Sequence, residues 1–138
     1  MDLYFSCSLT GGRNDQPAYA AMVAYLQTLG HLVLTAHLAS EAAMAADGEQ
    51  TPEAVFERDT AWLRRCDAVV AEVSTPSHGV GFEVAYALER GKPVLCLARE
   101  GVCVSKMLTG IRGAGFDFRT YRTQVEAHAH LETFLARY

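Results

Sequence analysis

Two near-continuous apolar runs, "DAVVAEVS" at 67–74 and "PVLCLA" at 93–98, constrain the fold of this chain more than any other feature. A strand that is apolar on both faces must be covered on both, which marks a parallel sheet flanked by helices. The rest of the sequence alternates accordingly. "LYFSC" (3–7) is a first strand, followed by the polar loop "SLTGGRND". Tyr19, Met22, Val23, Leu26 and Leu29 recur at helical spacing, and Gly30 stops that helix. "LVLTA" (32–36) reads as a second strand. Thr51 before Pro52 opens a helix that runs to about Cys66, because proline is preorganised for the first helical position. After the strand at 67–74, a helix spans about Gly79 to Arg90, and Gly91 ends it. "SKMLTGI" offers a short helix, "GFDFRTY" (115–121) a fifth strand, and "TQVEAHAHLETFLARY" a closing amphipathic helix. The Ala-rich, acidic stretch 39–50 is expected to be a short helix followed by a mobile loop.

This order predicts an α/β fold: a three-layer, doubly wound, five-stranded parallel sheet of Rossmann-like or flavodoxin-like type. The 138 residues are expected to form one domain, 1–138. Ligands of such sheets bind beyond the carboxyl ends of the strands, where the loops 8–15, 36–41 and 74–79 fall.

Charge narrows the partners. The formal net charge is -4 with no basic stripe, which argues against a nucleic acid polymer, since phosphate contacts dominate that affinity. A single nucleotide needs only a few donors and stays open. No apolar run approaches the about 18 residues of a membrane helix. "MDLYFSCSL" lacks the basic start and apolar stretch of a secretory leader, so a cytoplasmic protein is expected. Cys7, Cys66, Cys96 and Cys103 form no C-x-x-C pair and are expected to be reduced core or near-core thiols. The five histidines show no metal spacing, and neither a metal nor a cofactor is expected.

Glu83 stands out in "SHGVGFEVAYAL" (77–88), an acid in the first turn of the expected helix among small and apolar neighbours. The plain reading is macrodipole stabilisation. A capping box is absent, because position 80 is Val. The functional reading is an acid in a ligand cleft. Asp59 is the second oddity. Val55, Trp62 and Cys66 lie at helical spacing from it, so the acid sits within an apolar stripe. It is either paired structurally, with an arginine such as Arg64 or Arg112, or functional. The first loop offers hydroxyls, Gly11, Gly12 and Arg13, a weak phosphate-holding pattern or a solvated turn. Ser77 and Gly79 offer a second anion site or a plain turn. Tyr4 and His37 lie near strand ends and alone are ordinary residues.

Taken together, "LYFSCSLTGGR", "FERDTAWLRRCDAVVAEVSTPSHGVGFEVAYAL" and "GKPVLCL" resemble the 2'-deoxynucleoside 5'-monophosphate N-glycosidases. These are relatives of the nucleoside 2-deoxyribosyltransferases and of CMP N-glycosidases. The resemblance runs over most of the chain and is weakest at 39–50 and after about 100. It implies that Glu83 is the nucleophile, that Asp59 assists in acid–base work and positions the glutamate, and that Tyr4 lies by the sugar. It implies a 5'-phosphate site at Ser8, Ser77 and Gly79, to which the reading of the first loop adds Gly12 and Arg13, and it implies that His37 lies near the base. It also implies a homodimer whose sites are completed by the neighbouring subunit. The chain departs from the pattern at Thr10, where the family has arginine, and at Cys7, where it has glycine. Leu108 stands where the family has a serine that reaches the neighbour's phosphate, and Ser105 and Thr109 are close enough to substitute. Arg13 is placed to replace the positive charge lost at Thr10.

The chemistry suits these residue types. Cleaving a C1'–N bond builds positive charge on the sugar, as in glycoside hydrolysis. A carboxylate can stabilise that charge and form a glycosyl ester, while a second acid assists water or the departing base. The leading expectation is therefore a hydrolase acting on the N-glycosidic bond of a (2'-deoxy)nucleoside 5'-monophosphate. The alternatives are a transferase moving deoxyribose between bases, a phosphoribohydrolase whose P-G-G-x-G-T-x-x-E string is absent, and a non-catalytic nucleotide-binding protein.

Overall fold

The computed structural model describes every residue except 13, 41–47 and 49. The expected helix and loop at 39–50 thus lie mostly outside the described residues, as does Arg13. The chain runs β1 (Asp2–Ser6), α1 (Gln16–Thr28), β2 (Leu32–Val33), a 3-10 turn (Ala36–Ala39) and α2 (Pro52–Arg65). It continues through β3 (Ala68–Glu72), α3 (His78–Leu88), β4 (Val94–Arg99), α4 (Lys106–Thr109), β5 (Phe116–Tyr121) and α5 (Gln124–Leu135).

The five strands are all parallel, in the order β2-β1-β3-β4-β5. This is the flavodoxin-like order, with its switch point between β1 and β3. One core lies under α1 and α5, built around Phe5, Tyr19, Leu26, Leu97, Leu131 and Phe134. The other lies under α2 and α3, around Tyr4, Leu63, Val69, Ala71, Val84 and Cys96. Every residue of β3 is buried, as a strand covered on both faces requires.

Local signals place the helix starts. Thr51 caps α2 by accepting from the Ala54 N–H at 3.2 Å, with Pro52 following. Ser77 caps α3 by accepting from the Val80 N–H. The helix therefore opens at His78, one residue before the expected start, and Glu83 falls in its second turn rather than its first. The macrodipole acts mainly within the first turn, so it accounts for Glu83 less well than the sequence suggested.

The second strand is shorter than the expected 32–36. Thr35 is the reason: its Oγ1 accepts from the Phe5 N–H at 2.8 Å and donates to the Phe5 carbonyl at 2.7 Å. A side chain takes the place of the backbone ladder, and the chain turns away into the 3-10 segment. Cys7, Cys66 and Cys96 are buried free thiols, whereas Cys103 is exposed. It lies in the segment that leaves β4 ahead of α4, outside the core. Burial pushes the Cys96 thiol up to about 12 and the Cys66 thiol up to about 11.

Candidate active site

Strand periodicity places Tyr4 and Ser6 on the same face of β1, the face covered by α2 and α3. Both are buried. The Tyr4 hydroxyl donates to Glu83 Oε1 at 2.7 Å, and the Ser6 hydroxyl donates to Glu83 Oε2. Each oxygen of the carboxylate is thus held by a different hydroxyl from the central strand. The residue as a whole is half-buried, but its carboxylate is enclosed.

That enclosure sets its acidity. Burial, the largest influence, pushes Glu83 up to about 7, with the negative charge of Asp59 adding to it. The bonds from Ser6 and Tyr4 and the nearby Arg58 pull in the other direction. Burial and the Glu83 charge drive the Tyr4 phenol far above its ordinary value, so it stays a donor.

A cavity of about 390 Å³ opens over this carboxylate. Asp59, Val55, Phe56 and Thr60 of α2 line one side, and Gly79, Phe82 and Glu83 of α3 the other. Asp59 is 15% exposed and pairs with Arg58, Nε to Oδ1, at 2.8 Å. The arginines considered from sequence are engaged elsewhere. Arg64 donates to the Tyr86 hydroxyl, and Arg112 to the carbonyls of Thr109 and Ile111. The partner of Asp59 is its own chain neighbour, which also donates to Gln50 Oε1 at 3.0 Å. Arg58 lies 5.2 Å from the Trp62 ring centre, and His37 meets the same ring edge-on at 5.5 Å. His37 is thereby tied to the Asp59 side of the cavity, although it is itself exposed.

The loops after β1 and β3 stack on each other beside the start of α3. A Cβ on Gly11 would stand 2.3 Å from the Pro76 carbonyl oxygen and 2.8 Å from Ser8 Oγ, so only glycine fits there. Gly12 has φ +129°, in the region that favours glycine. Ser8 is fully buried and its Oγ has no hydrogen-bond partner within the described residues. An orphan buried hydroxyl beside a helix start is suited to an anion. The N–H groups of His78 and Gly79 begin α3 and have no acceptor inside the helix. The Ser77 hydroxyl, spent as acceptor on the cap, still has its own proton to donate.

A second cavity, about 680 Å³ and mostly apolar, lies across α3 from Glu83. Ser77, His78 and Val80 line it together with Cys103, Ser105, Met107 and Leu108. Ser105 is held as the cap of α4, accepting from the Met107 N–H at 3.2 Å, and Thr109 donates to the Ser105 carbonyl at 3.4 Å. Neither lines the Glu83 cavity within the chain. The larger cavity is lined by one acid, Glu89, whereas the smaller one brings together two, Asp59 and Glu83. Among the described residues, no group of three or more His, Cys, Asp or Glu is placed to hold a metal, and no helix is long and apolar enough to cross a membrane.

Sequence reasoning passed over Ser6 and Arg58. Ser6 had a usable signal, since it lies two residues from Tyr4 in one strand and shares its face. Removing its hydroxyl takes away a bond that stabilises the ionised carboxylate. Ser6→Ala is expected to move the acid limb of the rate profile upward by about one pH unit. An unmoved limb in the measured pH–rate profile would show that Ser6 does not act on Glu83.

Comparison with known proteins identifies the family. The sequence model described as nucleoside 2-deoxyribosyltransferase matches residues 3–129. The 5-hydroxymethyl-dUMP N-hydrolase of Mus musculus is 43% identical over 99% of this chain and 78% of its own length. The putative 2'-deoxynucleoside 5'-phosphate N-hydrolase 1 of Thermofilum pendens is 41% identical over 98% of this chain and 95% of its own. The solved structure of Clostridium botulinum CMP N-glycosidase matches in fold, with TM-score 0.71, 16% identity, and coverage of 96% and 99% of the two chains. A match to this family model over residues 3–129, nearly the whole chain, means that the protein belongs to the nucleoside 2-deoxyribosyltransferase family.

Proposed function

We propose that this protein is a hydrolase that cleaves the N-glycosidic bond of (2'-deoxy)nucleoside 5'-monophosphates, releasing free base and (deoxy)ribose 5-phosphate. One observation carries the reading above the others. The Glu83 carboxylate is oriented by two buried hydroxyls in a cavity that also holds Asp59, next to two loops with unused anion donors. Relatives at 41–43% identity bear N-hydrolase names, which supports the same reaction.

The steps follow from the groups present. With the 5'-phosphate held by Ser8, Ser77, the N–H groups at the start of α3 and the loop of Gly12 and Arg13, C1' is set over Glu83. Remote binding energy thus positions the reacting atom. A Glu83 oxygen attacks C1' as the C1'–N bond breaks and the base departs with its electron pair. Asp59, on the opposite wall of the cavity, orients the water that supplies the proton to the departing base, with His37 behind it against Trp62. Water then cleaves the glycosyl ester, giving overall retention in the sense of two-step glycosidases. Tyr4 and Ser6 keep the carboxylate aimed through both steps. No cofactor enters this scheme.

The test is product chromatography with the four deoxynucleotides, the ribonucleotides and the unphosphorylated deoxynucleosides. Release of base from monophosphates is the expected result. Cleavage only when a second free base is added would instead assign a deoxyribosyltransferase. Binding without any release would leave a nucleotide-binding protein.

The reading extends to a cytoplasmic homodimer. Three of the four thiols are buried and none is bridged, in keeping with a reducing compartment. Phe56, Phe82 and Met107 are exposed around α2, α3 and α4, with Met107 83% accessible. That apolar surface and Trp62 suit the partner subunit, which would bring its Ser105 and Thr109 region toward the phosphate. A dimer is expected by light scattering at micromolar concentration, and a stable monomer with full activity would refute the shared site.

A further inference from the structure

A second buried carboxylate lies behind the site. Tyr4 pairs with Val69 and Ser6 with Ala71 across β1 and β3, so Glu72, next in β3, points to the opposite face of the sheet. It is fully buried. Such a group persists only when its oxygens are satisfied. Glu72 Oε2 accepts from the Ser74 N–H at 3.2 Å, and Oε1 accepts from the Tyr121 hydroxyl at 3.0 Å and from the Ser74 hydroxyl. Ser74 Oγ in turn accepts from the Arg99 N–H at 2.7 Å.

The next residue is tied in the same manner. Thr75 donates to Asp15 Oδ2 at 2.8 Å, and Asp15 Oδ1 pairs with Arg99 Nε at 2.8 Å. Asp15 is 3% exposed and closes the first loop as the residue before α1. The ends of β3, β4 and β5 and the loop after β1 are thus joined through two carboxylates. The segment they fix, Ser74 and Thr75, leads directly to Pro76 against Gly11 and to Ser77 at the start of α3.

We propose that Glu72 and Asp15 are positioning residues that set the placement of the 74–77 loop and, through it, the recognition of the substrate's 5'-phosphate. This rests on the nucleotide-cleaving reading above. Neither residue lines the cavity over Glu83, so both act on binding of the phosphate and not on the reacting bond.

The decisive variants keep the shape and each remove a hydroxyl that donates to one of the two carboxylates. Thr75→Val deletes the donor to Asp15 while Arg99 still pairs with that carboxylate. Tyr121→Phe deletes one donor to Glu72. Each is expected to raise KM for the best nucleoside 5'-monophosphate about tenfold, with kcat changed less than threefold. Each should weaken calorimetric binding of 2-deoxyribose 5-phosphate by the same factor. Thr75→Ser, which retains the hydroxyl, should restore both values. Unchanged binding of 2-deoxyribose 5-phosphate in both variants, or a fall in kcat at constant KM, overturns the proposal. So does a wild-type protein that binds no 2-deoxyribose 5-phosphate at millimolar concentration. Failure of the parent reading is separate: it is absence of base release from every nucleotide by the wild-type protein.

Discussion

Glu83→Gln is expected to lower kcat at least about 10³-fold while leaving the fold intact. The substitution keeps the volume and one acceptor. Tyr4 and Ser6 donate through rotatable hydroxyls, so both can re-aim at the amide oxygen or to a neighbour without moving β1. In the proposed mechanism, what is lost is the negative charge beneath C1' and the oxygen that forms the ester. A residual rate is expected from phosphate binding and orientation alone, since groups that act together leave activity behind when one is removed. The measurement is single-turnover base release, with circular dichroism as the control for folding. Turnover within tenfold of wild type would remove Glu83 from the nucleophile's role. Asp59 would not rescue such an assignment, because it is paired with Arg58 on the far wall of the cavity.

The parts of the molecule legible in sequence share a physical cause. The buried strands at 68–72 and 94–99 are near-continuous apolar runs, so their place in a parallel sheet covered on both faces was legible, whereas their pairing with each other was not. Thr51-Pro52 marked a helix start because capping and preorganisation are local effects. Other features depended on long-range contacts that no local pattern carries. The second strand stops at Val33 because the Thr35 hydroxyl finds Phe5, thirty residues earlier in the chain. Glu83 moved to the second turn of α3 because Ser77, rather than a later residue, takes the cap.

The site divides along the same line. Asp59 and Glu83 stood out in sequence as an acid in an apolar stripe and an acid among small residues, and the fold brings them to one cavity. Tyr4 was ordinary by itself and entered only through the family resemblance, and its hydroxyl meets Glu83 from behind. Ser8, Gly12, Ser77 and Gly79 gather at the stacked loops beside it, and His37 joins through Trp62. Ser6 was masked by its setting, because a serine in "LYFSC" is unremarkable until a carboxylate arrives from 77 residues away. Arg58 was masked by the habit of seeking ion pairs at a distance, whereas the fold pairs neighbours 58 and 59.

The activity of the wild-type protein is expected to rise about tenfold per pH unit below about 7 and to level off above it. In the proposed mechanism Glu83 must be ionised to attack, and burial pushes it up to about 7, so it is expected to govern the acid limb of kcat/KM in the free enzyme. Stability should move in the opposite direction. The native carboxyl keeps its proton to about 7, whereas in the unfolded chain it ionises near 4.5. Between those values the folded state binds more protons, so raising the pH across that window weakens the fold. The cost levels off above about 7 at roughly 3 kcal/mol from this residue, an upper figure for a carboxylate that can recruit its own donors. Glu72 is raised in the same direction by burial and contributes to the wild-type slope. The difference between wild type and Glu83→Gln isolates Glu83. Denaturant unfolding at pH 5 and pH 8 should show the variant gaining on the wild type as the pH rises. Parallel curves would mean that Glu83 is ionised with ordinary ease and that burial does not tune it. A widening gap together with the acid limb would mean that the ionised form, which carries out the chemistry, is also the form that the fold holds at a cost in stability.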